Sequence, residues 1–269
     1  MSPLLKSCAA IATSLLLSVF VSKARAEEAA PKRDRLVTFM LGGQLRTRFP
    51  GADRLKPGPW YRLSRRRAGD PITFHGSGQG MGIRLLPRRS RVNFGPSFHL
   101  QAKRREKDLG AAVGDVSTTP EAGAFLLAWP TRSLRFRAEA RHGIGGHRGL
   151  LGSVSADAVM RRGEDTIWSI GARVRLADSI YQSAYFGVSP GTTLQSGLPA
   201  HAPSGGVYAV GGSATLGHQF TSVWGVAAYA GYDRLLRGAA ASPIVRRFGS
   251  RNQLSAGVGL TYTFRVENR

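Results

Sequence analysis

Residues 251–264 read Arg-Asn-Gln-Leu-Ser-Ala-Gly-Val-Gly-Leu-Thr-Tyr-Thr-Phe. Apolar side chains occupy every second position from Leu254 to Phe264, and small or polar residues occupy the positions between them. Successive side chains of a strand point to opposite faces, so one face is apolar and the other polar. This alternation, with aromatic residues near its end, is typical of a membrane-crossing barrel strand. A half-buried strand of a soluble sandwich gives the same pattern, so the rest of the chain must separate the two fold classes.

The same alternation predicts strands through most of the chain. In residues 134–142, Leu134 and Phe136 lie on an apolar face, while arginines and a glutamate lie on the other. In a small barrel that polar face lines the interior, where charges must pair or stay hydrated. The candidate interior charges are Arg135, Arg137, Glu139, Arg141, Arg173 and Arg175. The predicted strands include residues 37–46, 58–65, 71–76, 80–86, 92–103, 134–142, 153–160, 168–176, 207–218, 222–236 and 251–264.

The lengths of the connections favour a barrel over a sandwich. The short connections are residues 220–221, 162–164, 130–131, 87–90 and 67–70. They alternate with mostly long ones at residues 237–250, 177–206, 143–149, 103–119 and 47–57. Outer-membrane barrels have short periplasmic turns and longer external loops, whereas a sandwich has no reason to alternate them. The sequence therefore predicts an all-β, antiparallel, up-and-down transmembrane barrel of about 12 strands with both termini in the periplasm.

The N-terminus predicts export. Lys6 precedes an apolar segment at residues 8–21, and Ala24-Arg25-Ala26 has the small-x-small form of a cleavage site. The single cysteine, Cys8, would leave with this signal peptide, so no disulfide framework is expected in the mature chain. The predicted organisation is a signal peptide at residues 1–26, a charged periplasmic lead-in at 27–35, the barrel at 36–264 and a short extension at 265–269.

The basic charge of the chain predicts an anionic partner. The 38 Lys and Arg against 16 Asp and Glu give a formal net charge of +22. In an exported protein this charge does not indicate a nucleic-acid partner. A periplasmic rim of arginines would contact carboxylates of peptidoglycan or of a periplasmic protein, or would act only as a generic basic surface. The candidate rim residues are Arg65, Arg66, Arg67, Arg88, Arg89, Arg91, Arg132, Arg161 and Arg162. Those predicted to lie near lipopolysaccharide phosphates are Lys103, Arg104, Arg105, Lys107, Arg246, Arg247 and Arg251.

No motif in the sequence predicts catalysis. The six histidines lack the close second ligand of a zinc site, so no metal site is expected. The glycine-rich residues 76–82 fail the G-x-G-x-x-G template and predict a flexible turn rather than a cofactor site. Ser155, His142 and Asp157 have no spacing typical of a catalytic triad. We therefore expect no catalytic residue, no cofactor and no enzymatic activity.

Several loop motifs resemble the MipA/OmpV family, the MltA-interacting proteins of Gram-negative outer membranes. They read Tyr-Gln-Ser-Ala-Tyr-Phe-Gly-Val-Ser at 181–189, Ser-Gly-Leu-Pro-Ala at 196–200, Tyr-Asp-Arg-Leu-Leu at 232–236, Ser-Pro-Ile-Val at 242–245 and Gly-Ser-Arg-Asn-Gln at 249–253. The residues of interest in them are Tyr185, Phe186, Gly187, Ser189, Gly197, Leu198, Pro199, Asp233, Arg234, Ser242, Pro243, Arg251 and Asn252. The glycines and prolines predict a folded external loop. Asp233, Arg234 and Arg251 predict a salt-bridge network at the barrel mouth.

The resemblance implies an outer-membrane barrel that acts as a scaffold between a lytic transglycosylase and a murein synthase, in cell-envelope biogenesis. It also implies contact with outer-membrane lipid and lipopolysaccharide, and in some members a surface antigen or adhesin. A small anion-favouring channel is an alternative, because interior arginines would attract anions if the barrel were open. An outer-membrane enzyme that modifies lipids is a minor alternative.

Overall fold

The structure is a computed structural model that describes residues 34–266. The predicted signal peptide, the lead-in up to residue 33 and the last three residues lie outside the described residues. The strands are β1 (Arg35–Thr47), β2 (Leu55–Arg67), β3 (Met81–Gly82), β4 (Val92–Gln101), β5 (Thr119–Ala128), β6 (Leu134–Gly143), β7 (Leu150–Arg162), β8 (Thr166–Ala177), β9 (Gly206–Gln219), β10 (Trp224–Leu235) and β11 (Asn252–Val266). The helices are α1 (Glu106–Leu109), α2 (Ser179–Phe186), α3 (Pro190–Ser196), α4 (Arg237–Ala241) and α5 (Pro243–Phe248). None of these helices has the length and apolar character needed to cross a membrane.

The strands form one antiparallel sheet, which confirms the predicted all-β class. Its order is β2-β1-β11-β10-β9-β8-β7-β6-β5-β4-β3, so strands adjacent in sequence are adjacent in space, and the last strand pairs with the first. Leu41 lies opposite Leu260 in the β1–β11 pair, and Gly42 lies opposite Gly259. A side chain at Gly42 would overlap the backbone of Val258 and Gly259, so the close pairing of the two ends of the chain requires glycine there.

The two faces of the sheet differ in polarity along every long strand. On β11, Leu254, Val258 and Leu260 are more than half exposed, while Thr263 is buried on the other side. Exposed apolar side chains also cover the outer faces of β1, β4, β6 and β8. The polar face is concave, because side chains from both ends of the sheet line a common cavity. A sheet with an apolar convex face and a polar interior is the pattern of a membrane barrel.

The structure has eleven strands within residues 34–266, and the predicted strand at residues 71–76 is wrong. Residues 71–80, called here the interior segment, run along the concave side and pair with no strand. The neighbouring prediction at 80–86 shrinks to β3, although the amides of Ile83 and Leu85 continue its bonds to β4. The alternating pattern correctly predicted an extended segment at residues 71–76. The small and polar residues of this segment suit the polar interior better than a sheet that faces lipid.

Apolar and polar contacts both hold the interior segment in place. Phe74 is 6% exposed and lies in a small core with Val159 and Ile167. Farther along, the Ser77 backbone carbonyl accepts a hydrogen bond from Arg173 at 2.9 Å, and the side-chain Oε1 atom of Gln79 accepts one from Arg135 at 2.9 Å. The segment thus occupies one side of the interior with satisfied polar groups.

We expect the Phe74→Ala substitution to release the interior segment, because truncating a buried phenylalanine costs about 3–5 kcal/mol. A cysteine placed at Ser77 in residues 27–269 would be the single thiol of that chain. Its modification by a maleimide should become at least about tenfold faster when Phe74 is truncated. The matched control is Phe39→Ala, which removes a phenylalanine that is 43% exposed on the convex face. Equal rates in the two variants would contradict this role of Phe74.

The larger of the two hydrophobic cores among the described residues lies at one end of the sheet, where the long connections pack against one another and against the ends of β7–β10. We call this the loop end, and the opposite end, with the short connections and residues Arg35 and Val266, the turn end. The cap comprises residues 48–54, 102–118, 144–149, 178–205 and 236–251. Phe49, Val113, Phe186 and Ile244 come from four of these connections and are buried in one core. The long loops are therefore packed against one another over the end of the sheet.

Candidate functional site

The charged side chains of β6 form a network of ion pairs on the concave face. Arg135 lies directly opposite Asp157 of β7, and its Nη1 atom is 2.7 Å from the Asp157 Oδ2 atom. Glu139 lies between two arginines, with its Oε2 atom 3.1 Å from Arg137 Nε and its Oε1 atom paired with Arg141. The Glu139 side chain is fully buried. Buried charges at these positions are stable only because each has an opposite partner.

The other two predicted interior charges share one carboxylate. The Asp233 Oδ2 atom is 3.0 Å from Arg175 Nη2, and the Asp233 Oδ1 atom is 3.7 Å from Arg173 Nε. Asp233 lies on β10 and the arginines on β8, with Gly211 of β9 paired to both Arg173 and Asp233. A side chain at Gly211 would overlap the Asp233 carboxylate, so glycine leaves the space through which the charges meet across β9.

The predicted salt-bridge network of Asp233, Arg234 and Arg251 is wrong. Asp233 points into the interior, as described above, because strand alternation puts it on the opposite face from Arg234. Arg234 donates to the Asn252 Oδ1 atom at 2.8 Å, which also accepts from the Tyr232 hydroxyl at 2.8 Å. Arg251 donates to the Ala240 carbonyl at 3.0 Å. Arg234 and Arg251 therefore bind neutral acceptors at the loop end instead of carboxylates.

A cavity of about 780 Å³ occupies the part of the interior that the interior segment leaves free. It extends from Thr38 and Gln219, near the turn end, to Phe49 and Tyr181 beneath the cap. Its walls combine residues of β1–β6 and β8–β11 with the interior segment itself. The interior is therefore partly filled and partly open.

Most of the family-motif residues build the cap. Tyr185, Phe186, Leu198 and Ser242 are buried. The Ser242 hydroxyl donates to the Phe186 carbonyl at 2.6 Å, which joins two different motifs. Other motif residues in the cap lie at or near helix ends. Gly187 follows α2, and Gly197 follows α3. Ser189 precedes α3, Pro243 is the first residue of α5, and Pro199 is exposed shortly after α3. Gly197 has φ +65°, a left-handed conformation that favours glycine at a helix C-terminus.

Arg104 is the central polar residue of the cap, and its side chain is buried there instead of being available to lipopolysaccharide phosphates. It is 2% exposed. Its guanidinium donates to the carbonyls of Tyr185 at 2.8 Å, Val113 at 3.1 Å and Gly114 at 3.0 Å. Burial lowers the pKa of Arg104, against the raising effect of Tyr185 and nearby carboxylates. Adjacent Lys103 is exposed, so a basic run in the sequence did not distinguish the buried arginine from its neighbours.

Aromatic residues of α2 join the cap to the sheet. The rings of Tyr181 and Tyr185 have centroids 5.0 Å apart, and the Tyr181 ring meets that of His147 edge-on at 5.0 Å. Burial raises the pKa of Tyr181 well above its ordinary value, and the neighbouring Tyr208 raises it further. Burial likewise raises the pKa of Tyr185. These hydroxyls stay neutral and act as packing and hydrogen-bonding groups.

The predicted rim arginines all lie at the turn end. Arg65, Arg66 and Arg67 end β2, and the others lie in or beside the short turns before β4, β6 and β8. All except Arg66 are exposed, and none forms an ion pair with an acidic side chain within residues 34–266. Their contacts are local: Arg161 donates to the Arg132 carbonyl at 2.8 Å, and Arg66 donates to the Asp70 carbonyl. The turn end therefore carries a row of unpaired positive charges.

The part of the chain that the structure describes holds no cluster of three or more His, Cys, Asp or Glu side chains suited to a metal ion. His147 contacts the Glu121 Oε1 atom at 3.1 Å, and its Nδ1 atom accepts the Gly149 amide at 3.1 Å. This pair escaped sequence reasoning because its two residues are 26 positions apart on different elements. Its contacts are those of a structural link between the cap and β5.

A sequence model described as "MltA-interacting protein MipA" matches residues 39–264 of the chain. A comparison with curated proteins found no match. Among solved structures, the translocator domain of the autotransporter NalP from Neisseria meningitidis is 12% identical, with a TM-score of 0.44 and coverage of 96% of this chain and 98% of that one. The KdgM porin is 11% identical, with a TM-score of 0.38 and coverage of 85% and 99%. An outer membrane channel from Pseudomonas putida F1 is 12% identical, with a TM-score of 0.37 and coverage of 89% and 98%.

Proposed function

The chain belongs to the MipA family of MltA-interacting proteins, and from this premise we propose that it is a non-enzymatic outer-membrane scaffold for murein-processing enzymes. In this proposal the apolar convex face contacts lipid, the loop end faces outward beside lipopolysaccharide, and the turn end faces the periplasm. The family membership confirms the resemblance found in the loop motifs.

The observation that carries the proposal is the row of unpaired arginines at the turn end. Exposed guanidinium groups that form no ion pair within residues 34–266 are free to form two-pronged contacts with carboxylates of a partner. Periplasmic partners that carry such carboxylates are peptidoglycan and an acidic face of a lytic transglycosylase or of a murein synthase.

We expect replacement of turn-end arginines to weaken capture of an MltA-type transglycosylase. The variant Arg89→Ser, Arg132→Ser, Arg162→Ser removes three exposed charges from separate turns. Exposed charge pairs contribute about 0.2–1 kcal/mol each, so their joint loss should weaken binding about tenfold. Surface immobilisation of the detergent-refolded mature chain and titration with the purified enzyme measures this change.

A matched variant separates a specific rim from general charge. Arg237→Ser, Arg246→Ser and Arg247→Ser remove the same charge from exposed positions of the cap. This control should bind the transglycosylase like the unchanged protein. Higher salt should weaken transglycosylase binding by the control and by the unchanged protein to the same extent. Binding that is absent in the unchanged chain, or equally weakened in both variants, would refute the turn-end scaffold site.

A small channel is the second candidate, and the cavity of about 780 Å³ beside Arg175 and Tyr229 favours it. The interior segment and the packed cap both lie in the path of a solute, so conduction would require one of them to move. Planar-bilayer recording of the purified protein tests this candidate, and an assay of lipid hydrolysis tests the enzyme alternative.

A further inference from the structure

Two buried nitrogen atoms on the concave side have no hydrogen-bond partner among the described residues. They are the Nε2 atom of His75 and the Nη2 atom of Arg137. Buried polar groups of native proteins are nearly always paired, so each unpaired atom requires an explanation. Arg137 carries N–H donors, and a histidine ring nitrogen can also donate. An acceptor group would satisfy the Arg137 nitrogen, and it would also satisfy the His75 nitrogen in the tautomer that carries its proton on Nε2.

Positive charge is concentrated around His75. The guanidinium groups of Arg62, Arg84, Arg88 and Arg135 all act electrostatically on its ring. Arg135 and Arg137 have carboxylate partners in Asp157 and Glu139, as described above. The guanidinium groups of Arg62 and Arg84 have neither an ion-pair nor a hydrogen-bond partner within residues 34–266, although that of Arg62 lies 5.1 Å from the centroid of the Trp60 ring. The site therefore has more cations than its own acids balance.

These groups line one accessible space. Arg62, His75, Arg84, Arg135 and Arg137 all border the cavity of about 780 Å³. This volume is within the range of about 300–1,000 Å³ that small-molecule sites occupy. The residues that carry the unpaired nitrogen atoms and the unbalanced charges therefore surround space that a ligand can fill.

The cavity also reaches both edges of the sheet. Trp60 and Arg62 of β2 and Met81 and Gly82 of β3 border it, and these edge strands are not hydrogen-bonded to each other. β2 is 13 residues long and β3 only 2, so most of the free edge of β2 has no partner strand. The interior can thus be approached from the side as well as from the turn end.

We propose that the cluster of Arg62, His75, Arg84 and Arg137 binds a phosphate group. Its donors suit an oxyanion with several acceptor atoms, and arginine binds phosphate through two parallel hydrogen bonds. A free phosphate compound would arrive from the turn end, and a lipid headgroup would arrive past the edges of β2 and β3. This site is separate from the turn-end scaffold site and does not depend on it.

The direct test is calorimetric titration of the detergent-refolded protein with inorganic pyrophosphate. We expect binding to the unchanged chain and at least about tenfold weaker binding to the double variant Arg62→Gln, Arg84→Gln. The control Arg246→Gln, Arg247→Gln loses the same charge from exposed positions of the cap and should bind normally. Absence of binding to the unchanged chain, or equal binding to the double variant, would overturn the proposal.

Stability without phosphate gives a second readout. Removing unbalanced cations relieves their repulsion, so the double variant should be at least as resistant to urea as the unchanged chain. A purely structural role of Arg62 and Arg84 predicts the opposite, and a less stable variant that still binds pyrophosphate would overturn the proposal. Capture of the transglycosylase should be unaffected, which distinguishes failure of this site from failure of the scaffold.

The source of the phosphate is identified in nanodiscs of phosphatidylcholine with or without phosphatidic acid. If a lipid headgroup reaches the cluster from the side, phosphatidic acid should weaken pyrophosphate binding to the unchanged chain. If the ligand is a soluble phosphate compound, pyrophosphate should bind equally in both nanodiscs. Either result supports the site, whereas absence of pyrophosphate binding in detergent and in both kinds of nanodisc would contradict it.

Discussion

Replacing Glu139 by glutamine should destabilise the folded protein by about 3–5 kcal/mol, because it leaves charges of a buried network without their partner. The Glu139 carboxylate is fully buried and accepts from Arg137, Arg141 and Ser97. Glutamine keeps the shape but removes the negative charge and turns an N–H group toward an arginine. Urea unfolding of the detergent-refolded chain should show a midpoint lowered by more than about 1 M.

The control for this prediction is Glu164→Gln, the same chemical change in an exposed turn between β7 and β8. Glu164 forms no ion pair within the described part of the chain, so its replacement should change stability by less than about 0.5 kcal/mol. Similar midpoints for the two variants would show that the interior ion pairs do not stabilise the fold.

Replacing Arg104 by alanine should open the cap while the sheet stays folded. The substitution leaves the carbonyls of Val113, Gly114 and Tyr185 without a charged donor in a buried place. Loss of hydrogen bonds to a charged group costs about 1.5–3 kcal/mol each, although relaxation and water recover part of it. We expect backbone amides of α2 to exchange on the order of 100-fold faster, which corresponds to about 2.8 kcal/mol.

Hydrogen exchange followed by mass spectrometry reports the cap and the sheet separately. Lys103→Ala is the matched control, because it removes a neighbouring positive charge from the exposed surface of the same connection. Exchange in α2 should be unchanged in this control, and exchange in β10 and β11 unchanged in both. Unaltered α2 exchange in Arg104→Ala would contradict the central role of this residue.

The polarity of the two sheet faces was predictable because it depends on local geometry. In β6 and β11 every second residue is apolar, and the period of two of a strand assigns those residues to one face. The same reasoning failed at residues 71–76, since an extended segment with few large apolar residues satisfies the pattern inside as well as in the sheet. It also failed at Asp233, because its pairing with Arg173 and Arg175 requires the space left by Gly211 on β9, the strand between β8 and β10.

The sequence by itself determined the antiparallel all-β class, the long strands and the family, since these follow from alternation and from motifs along the chain. Only the tertiary structure decided that residues 71–80 lie inside, that Arg104 is buried in the cap, and that Arg62, His75 and Arg84 line one cavity. Burial and pairing depend on contacts between residues far apart in sequence. The periodic pattern of a single strand does not predict such contacts, because the curvature of the sheet and the packing of the loops determine which side chains become neighbours.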